Sequence, residues 1–548
     1  MDIANAFNDF FSSVGRNLDN SIPLSSVDPL RYINVNSSSF FLQPVSPLEI
    51  NYHIKKLKNS KQDLNTISIE ILKDSCNGVL SLVLSDVINV CFEKGVFPNS
   101  LKKAIVLPLY KKGDQATLSN YRPISILPTM SKLVEKCLKT RLMNYLTDFN
   151  LINPVQFGFQ ANVSTQDAIL HVIEKIYSNL DKKVSTMAVF IDFSKSFDTI
   201  NIPIALKKLE SYGIRGVPLM LIASYLSNRQ QAVKINGQIS QFKNIDIGVP
   251  QGSVLGPLLF LLYVNELPSI SNLFSTCLFA DDTTMIFESS SPTELVSSCN
   301  SGLQHFYSWC CANRLSVNVD KTNVMLFSNI HLASDLSNIS LNNTQIQYAS
   351  SVRFLGVEID NKLKFNNHIN SISNKISKNA GVLYKLRQFV PQNILITIYR
   401  SLVESYLNYC TLLFGNAFQS HLNPLEVAQR KCLRIIDFKH PQTHSDPIFA
   451  KLKLLKFSDM YKLNLVTYMY KNLNKFDPNL RINYFSTRSG DGFYLPSFYR
   501  LALTQNQSIM YQAPFHWNSI PEMIKNASSI KSFRRQYKKY LLSAYELC

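Results

Sequence analysis

Asp281 and Asp282 stand side by side inside an apolar stretch, with Cys277, Leu278 and Phe279 before them and Met285, Ile286 and Phe287 after. Neighbouring carboxylates in such a setting are costly unless a cation neutralises them or a turn exposes them to water. A third carboxylate, Asp192, closes another apolar run, Val189-Phe190-Ile191, and Phe193-Ser194-Lys195-Ser196-Phe197-Asp198 then turns toward a helix. Taken alone, Asp192 also reads as a helix N-cap. A carboxylate at one strand end facing two more on another strand is the donor set of a two-metal phosphoryl-transfer site. In such a site two Mg²⁺ ions about 3.5–4 Å apart serve the attacking and leaving oxygens, and oxygen ligands suit magnesium. Between the acidic elements lies Gly248-Val249-Pro250-Gln251-Gly252-Ser253-Val254-Leu255-Gly256-Pro257, which runs into an apolar helical segment, 258–264. Its glycines let backbone approach a ligand, and the helix start offers N–H groups to an anion or a base.

The elements that must hold these groups follow from periodicity. Short apolar runs predict strands over 104–110, 187–192, 278–287 (broken at the aspartates), 324–327 and 353–359. The basic turn Lys111-Lys112-Gly113-Asp114 follows the first of them. Helical spacing predicts helices over 133–146 and 202–209. Between 46 and 97 it predicts packing helices with apolar positions Ile50, Ile54, Leu57, Ile71, Val79, Leu82, Leu84, Val87 and Val90. Residues 1–45 read as a helical lead and an extended connector. After residue 366 the pattern is helical, with Lys375, Lys378, Lys385 and Arg387 interleaved among apolar positions. The segment 533–542 is a basic amphipathic helix bearing Arg534, Arg535, Lys538 and Lys539. The fold class is α+β.

Composition narrows the function. The 548 residues carry 56 Lys and Arg against 38 Asp and Glu, a formal charge of +18, which points to a polyanion partner. Hydrophobic residues at 46% exclude wholesale disorder. No apolar run approaches the roughly 20 residues that span a bilayer, and the start of the chain lacks signal-peptide features, so no membrane partner is expected. The ten cysteines show no disulfide framework and suit a reducing, intracellular compartment. Cys432, His440 and His444 lack a fourth ligand, and structural zinc is not expected.

In order along the chain, Asp192-x4-Phe197, Gly248-Val249-Pro250-Gln251-Gly252 and Phe279-Ala280-Asp281-Asp282 resemble motifs A, B and C of reverse transcriptases. More closely, the chain resembles the polymerase protein of jockey-like non-LTR retrotransposons. Pro108-Leu109-Tyr110-Lys111-Lys112-Gly113-Asp114 and Asn120-Tyr121-Arg122-Pro123-Ile124-Ser125 are similar to that family's fingers motifs, and Gln156-Phe157-Gly158-Phe159 to the segment upstream of motif A. The stretch from Asn313 to Thr322 resembles motif D, and Phe354-Leu355-Gly356-Val357 motif E. The likeness runs from about 46 to about 420, with a weaker trace to Trp517-Asn518-Ser519-Ile520-Pro521.

The resemblance implies a right-hand polymerase: a helical lead (1–45), a helical extension of the fingers (46–100), fingers and palm (101–360), a thumb (361–424) and a helical C-terminal extension (425–548). It implies RNA-directed DNA synthesis from a primer 3′-hydroxyl with two Mg²⁺ ions, Mn²⁺ being a possible substitute. By the same resemblance Asp192, Asp281 and Asp282 hold the metals, and Lys321 donates a proton to the pyrophosphate. Lys111, Lys112 and Arg122 bind the triphosphate, Phe197 excludes a 2′-hydroxyl, Gln251 and Gly252 contact the nucleotide, and Phe354, Leu355 and Gly356 grip the primer. The implied partners are template RNA, primer DNA and dNTPs, in the nucleus and in a cytoplasmic ribonucleoprotein.

Ser196 replaces the family's usual alanine, Phe279 a common tyrosine, and Lys61-Gln62-Asp63-Leu64-Asn65 is a poorer match to a Gly-rich stretch. Such elements usually carry an endonuclease upstream. The residues before 46, where Ile3 to Phe11 resemble the endonuclease–polymerase linker, leave no room for one, so an endonuclease in trans is expected. A decayed or domesticated copy that binds nucleic acid without synthesis is the alternative reading, and the three aspartates weigh against it. An intron-encoded maturase would call for a Cys-rich nuclease module.

Overall fold

The computed structural model describes residues 2–57, 69–75, 78–329, 338–473 and 507–546. At its centre is a five-stranded sheet ordered 347–348, β9 (Asn323–Phe327), β3 (Ser185–Ile191), β8 (Asp282–Ser289), β7 (Ser275–Phe279). β3 runs antiparallel to both β8 and β9. Every residue of β3 is buried, which explains its unbroken apolar run. Alternation divides its side chains between two cores. Met187, Val189 and Ile191 face one, with Met285, Phe287 and Val324, while Ala188 and Phe190 face the other, with Ile286, Met325 and Phe327.

The first core takes in the helices between residues 47 and 94 together with α5 (Thr129–Asp148), α7 (Ile202–Ser211), α8 (Val217–Leu226), α9 (Gly256–Tyr263) and α10 (Pro292–Ala312). The second takes in α6 (Thr165–Asp181), α11 (Asn366–Leu386) and the later helices. Among these, Gln419–Ile436 packs on α11, and Phe457–Lys471 packs on Ile509–Asn518 and Ile530–Glu546. The last helix buries Phe533, Tyr537, Leu541 and Tyr545 at four-residue spacing. Cys432 is buried in this core, and all eight described cysteines are buried somewhere in the molecule, none of them in a disulfide. Among the described residues no single helix is long and apolar enough to cross a membrane.

A second five-stranded sheet carries the basic turn. β1 (Lys103–Tyr110) pairs antiparallel with β2 (Tyr121–Ile126) and parallel with β4 (Arg229–Ile235), and β4 also pairs with β5 (Gln238–Ile239) and β6 (Lys243–Ile245). Leu109 stands opposite Arg122 in this register.

One contact is new and one expectation changes. The helical lead forms as α1 (Asp2–Ser21), and it docks on β4 and β6, a contact the sequence did not indicate. Helices α2 (Pro47–Lys55), α3 (Ile69–Ser75) and α4 (Val79–Lys94) form as expected, and Ile50, Ile54 and Leu57 are buried. Ile71, Val79, Leu82, Val87 and Val90, however, are exposed. The buried face of α4 is instead Ser81, Ser85, Ile88, Cys91 and Phe92. The small serines allow close approach, and their hydroxyls are satisfied by Gly78 O (2.8 Å) and Leu82 O (2.7 Å). α4 is apolar nearly all round, so periodicity alone does not choose its inner face. Lys61-Gln62-Asp63-Leu64-Asn65 lies outside the described residues.

Candidate active site

Asp192 follows the last residue of β3, and the pairing of Ile191 with Thr283 sets it beside the β7–β8 turn. In that turn Phe279 pairs with Asp282 across Ala280 and Asp281, and Ala280 adopts φ +58°. The strained turn is held from behind. Gln156 Oε1 accepts from Ala280 N (3.2 Å) and Gly158 N (2.9 Å), and Phe157 N donates to Leu278 O (2.7 Å). A Cβ on Gly158 would stand 2.2 Å from Ala280 N, so glycine alone permits the contact. From the front, Ser196 Oγ donates to Asp281 Oδ2 at 3.3 Å. The segment resembling motif D pins the other strand end, with Asn318 N donating to Asp192 O (2.8 Å) and Ser194 N to Ser316 O (2.8 Å). This brings Lys321 Nζ to 3.5 Å from Asp192 Oδ2.

The site is electrically crowded in both signs. Asp282 reaches solvent, yet its carboxyl is pushed up to about 6, by packing against protein and then by the charges of Asp281 and Asp192. The Lys111 ammonium is drawn below its usual range by desolvation and then by Arg122 and Lys321. An anion would relieve the second crowding and a cation the first.

The Gly/Pro loop is fastened at both ends. Gly248, at φ +86°, packs on the Asp198 backbone, and Val249 N donates to Phe197 O at 2.8 Å. Gln251 O accepts from Ser125 N at 2.7 Å, while Gln251 Nε2 donates to Asp198 Oδ2 (2.8 Å) and Oδ1 (2.9 Å). Burial pushes the Asp198 carboxyl up to about 6 against the pull of Gln251. Behind the loop, buried Glu135 accepts from Val254 N (2.7 Å) and Leu255 N (3.0 Å), fixing the entry to α9. Phe197 packs on Phe260, ring centroids 5.0 Å apart, and edge-on to Phe159 at 6.4 Å.

Lys111, Arg122, Asp192, Phe197, Gln251, Asp281 and Lys321 all line one open cleft of about 730 Å³. Asp282, next in sequence to Asp281 at the start of β8, lies outside the lining, as do Lys112 and Gly252. Gly252, at φ +123°, closes the loop against Ser125 O. Phe354, Leu355 and Gly356 are not in the cleft. Phe354 is buried with its ring 5.4 Å from Phe190, and Leu355-Gly356 forms the turn of the hairpin Ser351–Phe354/Val357–Asp360, beneath Tyr409. The Phe354 ring is therefore in the core, and the turn at Leu355-Gly356 reaches the surface.

Sequence reasoning did not single out Gln156, Asp198 or α1 as parts of the site. Gln156 and Asp198 lay within quoted motifs, but their roles depend on partners 124 and 53 positions away. A second group of potential ligands, Glu49, His53 and Cys137, is occupied by Arg141, which takes both Glu49 oxygens (2.8 and 3.0 Å). Burial pushes the Cys137 thiol up to about 12.

Residues 109–359 match the family described as reverse transcriptase (RNA-dependent DNA polymerase). Over a longer stretch the chain is 28% identical to the RNA-directed DNA polymerase from mobile element jockey of Drosophila melanogaster, covering 81% of this chain and 48% of that protein. It is 26% identical to the probable RNA-directed DNA polymerases from transposon X-element (72% and 44% covered) and transposon BS (72% and 45%) of the same organism. The chain spans about half the length of these curated relatives.

Proposed function

We propose that this chain is the RNA-directed DNA polymerase of a non-LTR mobile element. The observation that carries the reading is the convergence of Asp192 and Asp281 with Lys111, Arg122, Gln251, Phe197 and Lys321 on one cleft. In this reading the central sheet is the palm, and the second sheet with α2–α4 forms the fingers. Residues 361–424 are the thumb, and 425–548 a helical extension.

Asp192, Asp281 and Asp282 suit hard cations. They offer only oxygen ligands, and the cation nearest to Asp192 is a lysine at 3.5 Å that leaves its carboxylate free to coordinate. Two Mg²⁺ ions, or Mn²⁺ in their place, would supply charge stabilisation at the attacking and leaving oxygens. The chain's own groups do the rest. Lys111 and Arg122 hold the triphosphate tail, guanidinium and phosphate being well matched. Phe197 lies under the sugar, and Gln251, held by Asp198, meets the nucleotide and the template. The primer 3′-hydroxyl attacks the α-phosphorus in line, and Lys321 delivers a proton to the departing pyrophosphate. The template–primer duplex is held through its phosphates by basic side chains such as Lys375, Lys378 and Lys385 of α11.

Primer extension on poly(rA)/oligo(dT) with dTTP tests this. Magnesium-dependent elongation is expected. Binding of the duplex with no elongation would favour the reading of a copy that binds without synthesis.

A further inference from the structure

The helix α1 has a built place beside the cleft. Phe7 is buried with its ring edge-on to Tyr121 at 4.9 Å, and Tyr121 itself lines the cleft next to Arg122. Buried Asn8 donates to Gln241 O (2.7 Å) and accepts from Gln231 Nε2 (3.2 Å). Ion pairs follow along the helix: Asp9 with Lys243, Arg16 with Asp246 (2.7 Å) and Asp19 with Arg314 (2.7 Å). At Gly15 the helix crosses the turn that carries Phe197 and Asp198 so closely that a Cβ would stand 2.2 Å from Asp198 O. The face this leaves toward the cleft bears Phe10, Val14 and Leu18, all half-buried, with Asn17 beside them.

These side chains complement the other walls. Lys111, Arg122 and Lys321 answer phosphate, the carboxylates answer cations, and Phe197 answers the sugar. What these groups leave open are the flat apolar faces of the base, which suit the Phe10–Val14–Leu18 row. Resting on the polymerase reading above, we infer that α1 is the base-facing wall of the cleft. Phe10, Val14 and Leu18 pack against the incoming base and its templating partner, and Gly15 sets their distance.

The test uses the full chain in steady-state extension. Phe10→Ala should raise the KM for dNTP about tenfold while kcat stays within about twofold, the pattern of lost binding rather than lost chemistry. Phe10→Tyr should keep the wild-type KM. Gly15→Val, which forces the helix off Asp198, should raise KM with Phe10 still present. Ile3→Ala, on the exposed face, should change nothing. Thermal melting separates these effects from unfolding. A second arm needs no turnover: in Asp192→Asn, a template with 5-iodouridine at the templating position should crosslink, on irradiation, within residues 2–21. An active wild type with unchanged KM in Phe10→Ala and Gly15→Val, or crosslinks confined to other segments, overturns the α1 assignment alone. A wild type that extends no primer overturns the polymerase reading, and the crosslink then reports separately whether α1 faces a base.

Discussion

The carboxylates of the cleft and those of the interior are treated in opposite ways. Glu135 is fully buried and accepts four hydrogen bonds, from Val254 N, Leu255 N, Ser131 Oγ and Tyr225 Oη. Glu266 is buried against Lys208 and also accepts from Trp309 Nε1 at 3.1 Å. Glu174 accepts from Ser508 Oγ (2.7 Å) and Ile509 N (2.8 Å). Asp192, by contrast, has a lysine at 3.5 Å, and Asp281 a hydroxyl at 3.3 Å. Where an acid serves the fold, donors from within the protein hold it, though Glu266 keeps one oxygen unpartnered; where three acids meet at strand ends with few donors, they are arranged for a ligand from outside.

The sharpest way to break this contrast is to neutralise one acid of each kind. In the cleft, Asp192→Asn or Asp281→Asn should lower single-turnover extension by several orders of magnitude with template binding largely kept. The melting temperature should hold or rise, since removing one charge eases the crowding that raises Asp282. Equal extension rates in mutant and wild type would end the metal assignment.

In the interior the same kind of change should be structural. Lys208→Met leaves Glu266 buried without its cation, and losing one partner of a buried pair costs about 3–5 kcal/mol. Urea denaturation should show that loss, while activity per folded molecule changes little. A midpoint that does not move would mean that the Lys208–Glu266 pair adds nothing to the fold.

Glu174 sharpens the contrast through pH. Burial raises its carboxyl from 4.5 to about 7, so the folded chain keeps a proton that the unfolded chain loses. Stability from this group is therefore greatest below pH 4.5 and falls as pH rises through 7, by roughly 3 kcal/mol in all. Glu174→Gln should flatten that part of the stability profile, as measured by melting between pH 5 and 8. A slope identical to wild type would place the titration elsewhere.

Much of this was legible in the sequence, and the rest was not, for definable reasons. Asp192, Asp281 and the Gly/Pro loop announce themselves because strand periodicity and turn chemistry are local. Seating the turn on Gln156, linking Asp198 to Gln251 and docking Gly15 on Asp198 join residues 53 to 183 positions apart, and such pairings leave no periodic trace. The inner face of α4 was hidden for another reason: it is chosen by small serines that fit, not by the valines that look apolar. Likewise Phe354 belongs to a motif-like run, yet the hairpin turns its ring into the core.

Phe197 belongs to both regions, and its substitution should have the smallest and most divided effect. One side of the ring packs on Phe260 and the other lines the cleft. Phe197→Val keeps a β-branched apolar group against Phe260, so the stability loss should stay near 1–2 kcal/mol, short of a full core truncation. On the cleft side it removes the bulk proposed to lie under C2′, where a ribonucleotide would place its hydroxyl. Pocket shape that excludes one small group is worth about tenfold or more. The ratio of dNTP to rNTP incorporation efficiency should therefore fall by at least that factor. If stability falls and the ratio holds, Phe197 is a packing residue and the cleft's sugar selectivity must come from elsewhere. If the ratio falls with stability almost intact, the ring is held for the cleft and its contact with Phe260 serves to aim it.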